Sequence, residues 1–460
     1  MRPTLVLNVV GLSQHLLGAD TPNLSALCAR GAVRPLETIT PAVTCSVQAT
    51  LLTGVLPREH GIVGNGWYFR ELSEVSFWRQ SNALIQSKQV WELGRERDLM
   101  FTSANLFWWY NMYSGADWSV TPRPMYPADG RKLPDVYSQP ADLRAELQQK
   151  LGQFPLFRFW GPAADISSSR WITHAALHVL STRSPTLTLV YLPHLDYGLQ
   201  RLGPDTSHPR LRQDLREVDA LCGELIDAAE RSGRRVIVLS EYGITPVSGA
   251  VHINRELRSA SWLKVRDELG RELLDAGASE AFAVADHQVA HVYVKRPELV
   301  ATVREKIAKL EGVERVLGAE EQAALGLDHP RSGELVAISR SDRWFSYYYW
   351  LDATRAPDFA TTVDIHRKPG YDPVELFLNP KLAAPKFAIG WRLLKKALGF
   401  RTLMDVISPD DDSLVKGSHG RVTDDARQGP LFVSSDASVG GNGPVLATEV
   451  AALMLEHVFG

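Results

Sequence analysis

Only three cysteines, Cys28, Cys45 and Cys222, occur in 460 residues. Their odd number and wide spacing exclude a disulfide framework or a cysteine-built metal knot, and point to a reducing compartment. No apolar run approaches the ~20 residues that a bilayer-spanning helix needs, so no membrane span is expected. The N-terminal TLVLNVVGL lacks a charged leader and a small-residue cleavage site, and reads as a first strand, not as a signal peptide. A basic surplus is missing too. Against 50 Lys and Arg stand 53 Asp and Glu, a net charge of −3, which argues against binding a nucleic-acid polymer. Internal repeats and low-complexity tracts are absent. The expectation is a cytoplasmic globular protein.

What is present is a mixed, ordinary composition, 45% apolar and 22% charged, in a chain too long for a single simple core. TLVLNVVGL, TLTLVYL (186–192) and RRVIVLS (234–240) are continuous β-branched apolar runs, as in strands buried on both faces of a parallel sheet. Helical patterns alternate with them, among them PNLSALCARGA, SSSRWITHAALHVLST and HPRLRQDLREVDALCGELIDAAERSG. This rhythm predicts an α/β layered fold with its ligand site beyond the carboxyl ends of the strands. Residues 279–340 change to β-α-β-β order and are expected to form a small α+β cap insertion. The core is then 1–278 and 341–460. The segment 386–407 is basic and amphipathic, open to an interfacial role, and is expected to pack on the core.

Chemistry-bearing residues stand just past the strand ends: Asp196 in YLPHLDYGLQ, Glu241 in VIVLSEYGI and His419 in KGSHGR. Carboxylates and an imidazole delivered from separate elements are what a divalent cation requires, although each alone also suits a loop acid, a turn cap or a loop histidine. In PAVTCSVQATLLTGVLPREHGIVGN, Thr44 is expected to cap a helix with its hydroxyl, and His60 to fix the following turn. AVADHQVAH offers Asp286 and His287, and TTVDIHRKPGYD offers Asp364, His366 and Asp372, as ligands or as partners that orient ligands. Asp364 and Asp372 are equally readable as turn formers, and His291 as a solvent-facing strand residue. Trp67, Tyr68, Arg70 and Arg79 are candidates for a pocket rim that grips a planar group. Trp78, Trp108 and Trp109 are expected mostly to fill the core.

The order of these pieces, a first strand ending in glycine, then TCSVQATLLTGVLPREHGIVGN, DYGLQRLGP, LSEYGI and GSHG, resembles the type I phosphodiesterase/nucleotide pyrophosphatase branch of the alkaline phosphatase superfamily. The resemblance implies an alkaline phosphatase-like three-layer sandwich with a mostly parallel central sheet. It implies that Thr44 is the nucleophile of a phosphothreonine intermediate and that Asn65 donates to a non-bridging phosphate oxygen. Asp196 and His419 then fall on metal-ligand positions, and so do Gln200, where the family has histidine, and Glu241-Tyr242, where it has Asp-His. Val10 stands in place of a ligating aspartate, with Asn8 the nearest polar side chain on the same side of the strand. The expected site therefore has Thr44 and Asn65 as catalytic residues, and Asp196, Gln200, Glu241, His419, His287 and His366 as metal ligands. Trp67, Arg70 and Arg79 are assigned to substrate. One or two divalent cations are expected, zinc, manganese, magnesium or iron, with a small phosphorylated substrate. The eroded ligand set keeps open a non-hydrolytic protein that binds a phosphorylated ligand or partner, and a phosphoryl transferase or mutase.

Overall fold

The computed structural model describes residues 1–365, 368–409 and 411–460. The first strand, Thr4–Val9, is buried at every position because it lies mid-sheet beneath helices on both faces. It pairs in parallel with Leu187–Leu192 on one side and Arg235–Leu239 on the other. Ser103–Leu106 and Trp118–Pro122 continue the parallel block past Leu187–Leu192. Val136–Gln139 joins one flank antiparallel, as Leu431–Ser434 does the other. Beyond the latter, Ala32–Glu37 and Val445–Leu446 complete a nine-stranded sheet. The three strands expected from the sequence are all here: the runs 186–192 and 234–240 hold to within a residue of each end, and TLVLNVVGL stops at Val9, three residues before its expected end.

Two helix layers flank the sheet. One holds Pro22–Arg30, Ile166–Arg183, His194–Leu202 and Pro209–Arg231, packed on one another; the other holds Thr44–Thr53, Val90–Arg97 and Val450–Phe459. Because Asn8 stands in register with both Tyr191 and Leu239, the three central strands end together. The chain therefore delivers Val10, Asp196 and Glu241 to one edge.

A second, antiparallel sheet of Ala281–Asp286, Val289–Val294, Leu335–Ser339 and Val313–Leu317 carries the helices Val300–Ala308 and Ala319–Ala324. It has its own apolar cluster, which takes in Trp67, Trp78, Trp109 and the run Tyr347–Trp350. Its first hairpin turns at His287-Gln288, with Asp286 paired to Val289. His287 sits at a left-handed φ of 57°, which a non-glycine residue adopts only where its surroundings hold it. Here Phe345 N donates to its carbonyl and Gln288 N donates to the carbonyl of His419. Gly420 follows at φ 114°, and a Cβ there would lie 3.0 Å from Gln288 N. Only glycine lets the two loops meet so closely.

The helix Pro385–Ala397 departs from expectation. None of its residues is buried, so the basic amphipathic segment does not pack its apolar stripe on the core.

Candidate active site

Thr44 opens the helix Thr44–Thr53, yet it is not the cap: Val43 holds the cap position, and its own side chain makes no capping hydrogen bond. Asn65 does the neighbouring work, its Oδ1 accepting from Cys45 N at 2.9 Å. The threonine hydroxyl is thereby left for a different partner, Tyr242, whose phenol oxygen lies 3.2 Å away. That phenol donates in turn to Asp196 Oδ1 at 3.3 Å. Gln200, one helical turn beyond Asp196, donates to Asp196 Oδ2 at 2.7 Å, while its own Oε1 is buried without a hydrogen-bond partner among the described residues.

Glu241 is fully buried, and its Oε1 accepts from Asn8 Nδ2 and Gln48 Nε2, each at 2.6 Å. Its Oε2 has no hydrogen-bond partner among the described residues. Gln48, one turn on from Thr44, also accepts from Trp109 N at 2.7 Å, tying the Thr44 helix to the cavity wall. Sequence reasoning did not single out Gln48, although its i+4 spacing from Thr44 places both on one helix face.

Four rings stack across the site. Tyr242 lies flat on His419, with centroids 3.6 Å apart and planes 2° apart. His419 meets His287 at 3.8 Å, and His287 meets Tyr371 at 4.7 Å. The His419 Nδ1 contact to the Ala42 carbonyl, 2.9 Å, requires that nitrogen to carry the proton. Nε2 is then the lone-pair nitrogen, the usual state of a metal-binding histidine with its other nitrogen anchored. Burial holds His419 down to about 3, so the ring is neutral. Asp286, on the second sheet, accepts from Asn65 N at 2.8 Å and Asn65 Nδ2 at 3.0 Å, fixing the amide beside the Thr44 helix.

Thr44, Asp196, Tyr242, His287 and His419 line one cavity, walled by Trp78, Trp109, Trp160 and Tyr371. Its volume is about 30 Å³. That is room for water, against the ~300 Å³ or more of a small-molecule pocket, so a substrate enters only as the aromatic wall shifts. Trp160 is held by its Nε1 donating to Glu375 Oε2 at 3.1 Å, and Glu375 is paired with the wholly buried Lys368.

A model of the type I phosphodiesterase/nucleotide pyrophosphatase family matches residues 4–372. The chain belongs to that family. An uncharacterized pyrophosphatase/phosphodiesterase of Schizosaccharomyces pombe is 24% identical over 241 residues, covering 51% of this chain and 43% of that protein. The chain thus matches less than half the length of that curated relative. Among solved structures, a murine ectonucleotide pyrophosphatase/phosphodiesterase 5, an inactive variant bound to AMP, superposes with a TM-score of 0.59 at 14% identity, over 100% of this chain and 95% of that one. Phosphonoacetate hydrolase from Sinorhizobium meliloti, in complex with phosphonoformate, gives 0.62 at 14%, over 99% and 96%. At these identities the structural likeness speaks for the fold, which is that of the alkaline phosphatase superfamily.

Of the family positions named from sequence, Thr44, Asn65, Asp196, Gln200, Glu241 and His419 come together with His287. His366 lies outside the described residues. Asp364 faces Lys132 at 3.8 Å, and Asp372 caps the turn Pro373–Leu376 while accepting from Tyr348. Neither lines the cavity. His291 is in a strand as expected but buried, not solvent-facing, its Nε2 2.9 Å from the Val63 carbonyl. His60 fixes its turn, with Nδ1 accepting from Ile62 N.

The three residues assigned to substrate stand elsewhere. Trp67 is buried beneath the Arg331 guanidinium, Arg70 is tied to Pro330, Ser332 and Glu334, and Arg79 bonds Ser76. In their place Trp78 and Trp109, expected as core fillers, form the wall. Among the described residues, the set of three ligating side chains with atoms within 4.8 Å of one another is His194, Asp214 and Glu217, which does not line the cavity.

The acids give the site a pH signature. Burial pushes Asp196 up to about 7 and Glu241 up to about 8. Above about pH 7.5, where unfolded histidines have lost most of their protons, the folded chain still holds carboxyl protons, that of Glu241 above all, that the unfolded chain has lost. Stability therefore falls as pH rises from about 7.5 to 8.5, with a slope of up to ~1.4 kcal/mol per pH unit for each such proton. Denaturant melts in cation-free buffer at the two pH values should record this fall, and Glu241→Gln should flatten it; an unchanged slope in the variant contradicts the assignment.

Proposed function

We propose that the chain hydrolyses phosphate esters, diesters or pyrophosphates of a small substrate, with Thr44 as the attacking group and one divalent cation. What carries this reading is the run of contacts from Thr44 through Tyr242 to Asp196. A threonine hydroxyl is a weak nucleophile until its proton has somewhere to go. Here Thr44 Oγ1 donates to the phenol oxygen while the phenol O–H points to Asp196 Oδ1, a carboxylate poised near neutrality. Attack forms the Thr44 Oγ1–phosphorus bond and breaks the bond to the leaving oxygen, and the threonine proton moves through the phenol to Asp196, which gives it up, directly or by way of water, to the departing oxygen. Water then cleaves the phosphothreonine, its hydroxyl going to phosphate and its proton to Thr44.

The donor set fits one cation better than two. Asp196, Gln200 and His419 offer a carboxylate oxygen, an unpartnered buried amide oxygen and a neutral imidazole nitrogen, which suits a hard or borderline ion such as magnesium, manganese, iron or zinc. At the other family position Glu241 alone offers a donor, its Oε2, since Oε1 already accepts from two amides; Val10 offers nothing, and a phenol replaces imidazole. When bound, the cation supplies positive charge to a phosphoryl oxygen. Asn65, anchored by Asp286, has one amide hydrogen left for a non-bridging oxygen. The helix N-terminus at Thr44 favours the same negative charge. The aromatic wall suits a planar group carried by the substrate, such as a nucleobase. Residues 279–340, taken as an insertion into the core, serve here to bring Asp286 and His287 to the site. The three free thiols suit a cytoplasmic setting, and no described helix is long and apolar enough to cross a membrane.

The test is turnover of bis-nitrophenyl phosphate and a dinucleotide pyrophosphate after chelation, and again with each divalent cation restored. Cation-dependent release of product is expected. No turnover of any ester with any cation contradicts the reading and leaves a phosphoryl-ligand-binding protein.

A further inference from the structure

The helix Pro385–Ala397 shows reversed sidedness. Its inward positions are Ala388, Ile389 and Arg392, all only half-buried, with Arg392 tied to Asp405 Oδ1 at 2.6 Å. Phe387, Trp391, Leu394 and Leu398 follow at i, i+4, i+7 and i+11, a single stripe along one side. They are 75%, 51%, 47% and 67% exposed. Phe400, at 64% exposed, continues the apolar surface past the helix end. So large an apolar face on a soluble chain marks an interaction site.

The charge around it selects the occupant. Between Glu375 and Asp405 the sequence has no acid and six cations, Lys381, Lys386, Arg392, Lys395, Lys396 and Arg401, in a protein whose net charge is −3. Lys395 Nζ lies 5.5 Å from the Trp391 ring centre, and Lys386 and Lys396 are exposed. An aromatic and aliphatic stripe flanked by lysines is the pattern of a helix lying in the plane of an anionic bilayer. At 13 residues the helix is too short to span one.

We propose that Pro385–Ala397 docks the protein on anionic lipid membranes, its Phe387–Leu398 stripe entering the headgroup boundary and its lysines pairing with lipid phosphates and carboxylates. Docking would leave the catalytic cavity on the soluble body. This inference is independent of the proposed chemistry.

The experiment is co-sedimentation of the full chain with phosphatidylcholine vesicles, with and without phosphatidylserine. Strong binding to the serine-containing vesicles, weakened by salt, and little to phosphatidylcholine alone are expected. Trp391→Glu and the pair Lys395→Glu with Lys396→Glu should each weaken binding about tenfold or more with an unchanged melting temperature, since Trp391 and Lys396 are exposed and Lys395 is only half-buried. Failure of the wild type to sediment with anionic vesicles overturns the proposal. So does undiminished binding by both variants. Sedimentation velocity without lipid supplies the remaining outcome: a dimer that Trp391→Glu dissolves would assign the face to a second copy of the chain and overturn the lipid reading.

Discussion

Thr44→Ala lowers phosphodiester turnover by at least ~1,000-fold while the fold stands. The hydroxyl is the one group in the cavity placed both at a helix N-terminus and in contact with a proton path, through Tyr242 at 3.2 Å. Removing it deletes the attacking atom. The structural cost is small because the hydroxyl's contact to the phenol is long, 3.2 Å, and a lost γ-methyl in a buried site costs on the order of 1 kcal/mol. Thr44→Ser keeps the oxygen and should recover part of the activity. A variant that melts like the wild type but turns over substrate at the wild-type rate contradicts the assignment.

Tyr242→Phe lowers kcat by about 100-fold or more and leaves KM nearly unchanged. The change removes one oxygen, and with it both hydrogen bonds that connect Thr44 to Asp196. The ring and its stack on His419 remain, so the site keeps its shape. A tyrosine that only filled space would tolerate phenylalanine. The distinguishing readout is the pH profile: in the wild type kcat should rise through a group near neutrality, Asp196, and in the variant that limb should disappear. Wild-type kcat with an unaltered profile would mean that the threonine proton leaves by another route.

The strands were legible because burial on both faces writes an unbroken β-branched run, as in TLVLNVVGL and RRVIVLS. The convergence of Asp196, Glu241 and His419 was legible from their place just beyond strand ends and before a final strand, together with the family-like order of the motifs. The wall was not. Trp160 and Tyr371 sit in turns without periodicity, and Trp78 and Trp109 in short irregular stretches, so nothing in their spacing separates a cavity wall from a core. Trp67 and Arg70 lie near Asn65 in sequence, but the hairpin that carries them turns toward the second sheet, where Arg331 and Glu334 engage them.

At Thr44 the error was a single position. An apolar residue, Val43, takes the extended cap conformation, and the asparagine that satisfies the helix end comes from another segment. The helix 385–397 shows the complementary limit of pattern reading: amphipathic spacing reveals that an apolar stripe exists, and only packing reveals which way it faces.

The most direct test is chemical. Full-length protein, supplied with a divalent cation and a phosphodiester substrate, is quenched in acid during turnover, and its peptides are weighed by mass spectrometry. A phosphoryl or phosphoester adduct localised to Thr44, absent from Thr44→Ala, is the predicted result. Steady turnover with Thr44 unmodified at every time point, or with the adduct on a different residue, would contradict the account.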